Sequence, residues 1–170
     1  MAMQYKEVKY PFIPEGKRFY YIPEDNEYMQ AAKKFARHHS SDKTMPLGAV
    51  LVKSGNIIGA GANSSDYHKK YGCERRKLGI PTGERYDLCP GCDPKNHAEK
   101  SAIADAIAKG HDTRDADMYL WGHWWVCQQC WRETEEAGIR DIYLVKDSDT
   151  LFNSKAPSNA IGHQFDNYSK

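Results

Sequence analysis

No stretch of this 170-residue chain approaches the ~20 consecutive apolar residues that a membrane-spanning helix needs, and the mean hydropathy is −0.78. A membrane protein is therefore not expected. An excess of one charge is missing too: 24 Lys and Arg stand against 23 Asp and Glu, for a net charge of +1. That balance argues against holding long nucleic acid by bulk electrostatics and leaves room only for a local basic patch. The opening residues, MAMQYKEVKYPFIPEGKR, contain no apolar core of a secretory signal, so a cytoplasmic location is the expectation. No internal repeat is visible. With 40% hydrophobic and 28% charged residues, the chain reads as one globular domain able to bury its own core.

Cysteine is scarce, but its spacing is informative. Of five cysteines, four form the pairs Cys89-Pro90-Gly91-Cys92 and Cys127-Gln128-Gln129-Cys130, and Cys73 stands alone. An odd number in a reducing compartment disfavours a disulfide framework and points to metal ligation or redox chemistry.

The remaining signals set out the organisation. Residues 1–23 are rich in Tyr, Phe and Pro without a period, and predict an extended arm laid on the body or on a neighbouring subunit, or a frayed terminus. Glu24, Asp25 and Asn26 can start a helix whose inner face carries Met29, Ala32, Phe35 and Ala36. Two apolar runs flanking Ser54-Gly55-Asn56 predict a β-hairpin. A long polar connection follows over 61–96 and holds three of the cysteines. HAEKSAIADAIAKG predicts a buried helix with Ala98, Ala102, Ile103, Ala106 and Ile107 inward, stopped by Gly110. MYLWGH predicts a strand, CQQCWRETEEAG a helix and IRDIYLVKD a further strand. This alternation implies a sheet with helices on both faces, in a body spanning 24–153, followed by a polar tail over 154–170 with no assigned fold.

The strongest chemical signal joins His97-Ala98-Glu99 at the start of one helix to Cys127 and Cys130 at the start of the next. One imidazole and two thiolates are three zinc ligands, with a fourth position left for water. The positive end of a helix favours the thiolate form of cysteine. Glu99 can lean over the open position and move protons to and from water activated by the metal. The competing readings are a hydrogen-bonded core histidine, a redox dithiol and a plain first-turn acid. Cys73, Cys89 and Cys92 suit a second, structural zinc if a histidine joins them. His68 is nearest in sequence, with His38 and His39 as rivals; the alternative is ordinary thiols. Arg75, Arg76 and Lys77 could receive a phosphate or be a solvated surface. Trp121, Trp124 and Trp125 read as packing rather than as a wall for a base. His111 and His123 read as surface or satisfied histidines with no role.

The stretches PLGAVLVKSGNIIGAGAN, HAEKSAI, CQQC and AGIRDIYLV resemble the cytidine deaminase superfamily over roughly residues 27–147, and the H-x-E…C-x-x-C arrangement matches its zinc signature. GCERRKLGIPTGERYDLC resembles the cysteine-bearing insertion of the deoxycytidylate (dCMP) deaminase branch. One departure is Val126, where the family usually has Pro before the first cysteine. The resemblance implies an α/β fold: a three-layer α/β/α sandwich around a mixed sheet of about five strands. It implies that His97, Cys127 and Cys130 hold the catalytic zinc and that Glu99 shuttles protons. It also implies that Asn63 hydrogen-bonds the substrate and that the N–H of Ala98 faces the base. The implied reaction is hydrolytic deamination of a free cytosine nucleotide, dCMP to dUMP and ammonia, by a homo-oligomer. The alternatives are deamination of a base in an RNA, and a non-enzymatic zinc module.

Overall fold

The computed structural model describes residues 11–166; the first ten residues of the expected arm and the last four of the expected tail lie outside them. A mixed five-stranded sheet forms the middle layer, in the order β1-β5-β4-β2-β3. The strands are β1 (Phe19–Ile22), β2 (Gly48–Lys53), β3 (Asn56–Ala62), β4 (Asp117–Trp121) and β5 (Ile142–Val145). β2 pairs antiparallel with both β3 and β4, whereas β5 pairs parallel with both β4 and β1.

Side chains alternate across a strand, and the central strands bury both faces. Ala49 and Leu51 of β2, with Met118 and Leu120 of β4, pack under α4 (Ala98–Ala108) and α5 (Gln128–Glu136). Val50, Val52, Tyr119 and Trp121 point the other way, onto Met29, Ala32 and Ala36 of α1 (Glu27–His39). The result is three layers, α/β/α. Asn26 starts α1 by accepting the backbone N–H groups of Tyr28 and Met29 on its side chain. Ser54 and Gly55, both at positive φ, make the two-residue turn between β2 and β3. Gly61 has to be glycine, because a Cβ there would collide with the backbone of α4 at Ala98 and Ala102. That close approach fixes the start of α4 against the sheet. Among the described residues, no helix is long and apolar enough to cross a membrane.

Four local readings change. Phe19–Ile22, inside the expected arm, is an edge strand; Phe19 is buried and its ring lies 5.2 Å from that of Trp131 on α5. Ile107, expected inward, is 60% exposed, since the contact face of α4 follows Ala98, Ala102 and Ala106 at a spacing of four. The connection after the hairpin starts later than 61, because Gly61 and Ala62 still belong to β3. It also contains α2 (Asp66–Tyr71), α3 (Glu74–Lys77) and three short 3-10 turns. Beyond β5, α6 (Ser148–Leu151) and a run of turns bring Phe165 onto Trp121, with rings 5.2 Å apart.

Candidate active site and metal centres

α4 and α5 both begin at the same end of the sheet, just beyond the carboxyl end of β4, and each has at its cap position a side chain able to bind a metal. His97 caps α4 in extended conformation, and Cys127 caps α5 by accepting the N–H of Cys130 on its Sγ. Nδ1 of His97 lies 3.2 Å from Cys130 Sγ and 3.6 Å from Cys127 Sγ. All three donor atoms fall within 4.8 Å of one another. The two sulfurs, 2.7 Å apart, share a hydrogen bond that holds Cys127 down to about 5 and pushes Cys130 well above the usual thiol range. One imidazole with two sulfurs, one of them already inclined to ionise, suits zinc. Behind the imidazole, Nε2 is 3.3 Å from the carbonyl oxygen of Cys92, and the ring of Tyr86 meets it edge-on.

Glu99 is the second residue of α4. Because His97 is still extended, the turn of the helix carries the Glu99 carboxyl back toward the sulfurs. It is 3% exposed, and its Oε2 has no hydrogen-bond partner. Burial, and then the Cys127 sulfur, push its pKa up to about 7. These groups lie in a cleft of about 720 Å³, open mouth included, which is also lined by Asn63, Ala98, His123, Trp125 and Arg76.

A second donor set lies beside the same cleft. His68 of α2, Cys73 before α3, and Cys89 and Cys92 from the C-P-G-C turn bring four donor atoms within 4.8 Å. His68 Nε2 is 3.3 Å from Cys89 Sγ, and Cys73 Sγ is 3.5 Å from Cys92 Sγ. The guanidinium of Arg75 donates to Cys92 Sγ from 3.3 Å. A Cβ on Gly91 would strike the His68 ring, so glycine between the cysteines lets the turn close on the imidazole. One nitrogen and three sulfurs fit a closed tetrahedral zinc site. His38 and His39 stay at the exposed end of α1, outside the cluster.

The family model described as "Cytidine and deoxycytidylate deaminase zinc-binding region" matches residues 22–146. The chain belongs to this family. Zinc is the metal that the two donor sets of this deaminase-family chain fit. No curated protein matches it. Among solved structures it is similar to dCMP deaminase from the cyanophage S-TIM5, with 22% identity over 71% of this chain and 82% of that one, at a TM-score of 0.47. It is also similar to the diaminohydroxyphosphoribosylaminopyrimidine deaminase/5-amino-6-(5-phosphoribosylamino)uracil reductase of Thermotoga maritima. There the identity is 24% over 70% of this chain, the TM-score is 0.44, and the chain spans only 29% of that protein's length. Guanine deaminase from Bacillus subtilis matches at 22% identity over 70% of this chain and 63% of its own, with a TM-score of 0.45.

The other residues of this deaminase-family chain marked in the sequence take varied places. Asn63 lines the cleft, but its side chain is largely engaged within the protein. Oδ1 accepts from Ser40 Oγ at 2.6 Å and from the Leu47 N–H at 2.8 Å, while Nδ2 donates to the Met45 carbonyl at 2.9 Å. It therefore fixes the 40–47 loop beside the cleft and keeps one amide hydrogen for anything else. Ala98 is fully buried at the first position of α4, where its N–H has no intrahelical acceptor. Arg75 is buried, with its guanidinium taken up by the Pro81 and Glu84 carbonyls, Cys92 Sγ and the face of Tyr86. Arg76 remains at the cleft, paired with both carboxylate oxygens of Asp42 at 3.1 and 2.9 Å. Of the tryptophans, Trp121 is core beneath α1, and Trp125 lines the cleft. His123 also lines it and is only 4% exposed, a residue that sequence reasoning passed over. The available signal was its place between Gly122 and Trp124, four residues before Cys127.

Proposed function

We propose that this chain hydrolytically deaminates a free cytosine nucleotide, with dCMP converted to dUMP and ammonia. The observation that carries the reading is the buried, unpartnered Oε2 of Glu99 beside a donor set that has three members while its neighbour has four. A closed four-donor set suits a structural role, and a three-donor set with a carboxyl over it suits catalysis. Zinc held by His97, Cys127 and Cys130 would supply a water acidic enough to ionise near pH 7. With a pKa raised to about 7, Glu99 can both take and give a proton at neutral pH. It takes one from the water and delivers it to N3 of cytosine, and it then takes the second from the hydroxyl now on C4 and delivers it to the departing amine. The water oxygen ends on C4 and the nitrogen leaves as ammonia, so the atoms balance.

Arg76 favours a nucleotide over a nucleoside. It is a guanidinium at the cleft paired with Asp42, and a monophosphate can share its fork with that carboxylate. The test is ammonia release from dCMP, CMP, deoxycytidine and cytidine by the zinc-loaded chain, with a short RNA stem-loop as a fifth substrate. Fastest release from dCMP is expected. Release from the RNA alone, or from none of them, overturns the reading.

A further inference from the structure

We propose that His123 is a base-reading residue of the cleft, its Nε2–H a fixed donor to the ring carbonyl at C2 of cytosine; this rests on the cytosine reading above. The backbone N–H of Trp125 donates to His123 Nδ1 at 3.2 Å. An imidazole whose Nδ1 accepts a hydrogen bond carries its proton on Nε2, so the free edge of the ring is a donor and not an acceptor. Nε2 makes no hydrogen bond among the described residues, yet the side chain is 96% buried and lines the cleft. The Trp125 ring meets the imidazole edge-on with centroids 4.2 Å apart, which limits its rotation. Burial also keeps the ring neutral, with its pKa pushed down to about 3.

Depth in the cleft decides which part of a nucleotide His123 can meet. A residue this buried lies at the floor, with Glu99 and His97, and so faces the base and not the phosphate. Around the pyrimidine ring, N3 is flanked by the amino group at C4 and the carbonyl at C2. The amino group is itself a donor before reaction, and a second donor aimed at it would go unmet. The C2 oxygen is an acceptor, adjacent to the N3 that Glu99 serves. Adenine has only a C–H between its two ring nitrogens, so this donor would select against an adenine base.

The test compares dCMP with its 2-thio analogue, whose sulfur is a weak acceptor, using the zinc-loaded wild type and the variants His123→Phe and His123→Gln. Wild type is expected to favour dCMP by about 10- to 100-fold in kcat/KM, the range for a buried donor deprived of its acceptor. His123→Phe should lose a similar factor on dCMP and little on the thio substrate, with zinc content unchanged; His123→Gln, which keeps an N–H donor, should recover part of the loss. Equal wild-type rates on the two substrates overturn the proposal, and this comparison holds even where a variant fails to fold. So does a variant that loses the same factor on both substrates. A wild type inactive on every cytosine nucleotide overturns the parent reading and this one together, whereas an active wild type with an indifferent His123→Phe overturns only this one.

Discussion

Cys92 serves both donor sets: its Sγ lies in one, and its carbonyl oxygen is 3.3 Å from Nε2 of His97 in the other. Donation of the Nε2 proton to that carbonyl leaves the Nδ1 lone pair facing Cys127 and Cys130. The orientation of a ligand imidazole is commonly worth about 10- to 100-fold in metal affinity. Cys89→Ser damages the outer set without touching Cys92 itself. Zinc per chain should fall from about two to about one, and the remaining ion should bind about tenfold more weakly in a chelator competition. An unchanged affinity at the remaining site would mean that the carbonyl contact does not orient His97.

Glu99→Gln removes the proton shuttle and keeps the shape of the carboxyl. Turnover should drop by about 10²- to 10⁴-fold, while zinc measured by elemental analysis stays at the wild-type level. Full activity in this variant would eliminate Glu99 as the acid and base.

Gly91→Ala places a methyl group where the His68 ring now lies. Either the imidazole or the C-P-G-C turn must shift, at a cost of about 1–3 kcal/mol in stability. Urea unfolding should show that loss together with reduced zinc content, and Glu99-dependent chemistry should persist in part. A variant with wild-type stability and zinc would show that the cluster tolerates a displaced ring.

Acid should weaken the fold partly through His123. Its folded pKa is pushed down to about 3, whereas the unfolded chain takes up that proton near 6.5. Between those values the unfolded state binds more protons, so stability falls as pH falls, by about 1.4 kcal/mol per pH unit from this group. His123→Gln should make the slope between pH 6 and 4 shallower by about one proton, as read from urea midpoints across that range. Equal slopes in the two proteins would place the imidazole in contact with solvent.

The elements that the sequence shows clearly are those whose signal is local. The hairpin follows from Ser54-Gly55 between apolar runs, and α4 and α5 follow from helical spacing closed by glycine. β1 was not legible, because four residues without alternation find their partner, β5, some 120 residues further along the chain. Ile107 was misplaced because alanines at a spacing of four define a narrow contact face, and the next large residue falls off it. In the site, the two C-x-x-C pairs and H-x-E mark the donors directly. His68, His38 and His39 could not be separated, since their choice depends on how α2 folds back over Gly91. His123 was passed over for a similar reason. Only the end of β4 and the Trp125 amide show that its ring turns inward.

Residues 12–19, ahead of the family-matched region, also hold α5. The indole N–H of Trp131 donates to the Phe12 carbonyl at 2.8 Å, and Phe19 packs on the same ring. A chain cut after residue 22 would lose both grips and leave Ile142–Val145 as a bare edge, its N–H and C=O groups open to pairing with another molecule. The leading segment therefore works as a clasp: it keeps the helix bearing the thiol pair seated, and it shields the sheet from self-association.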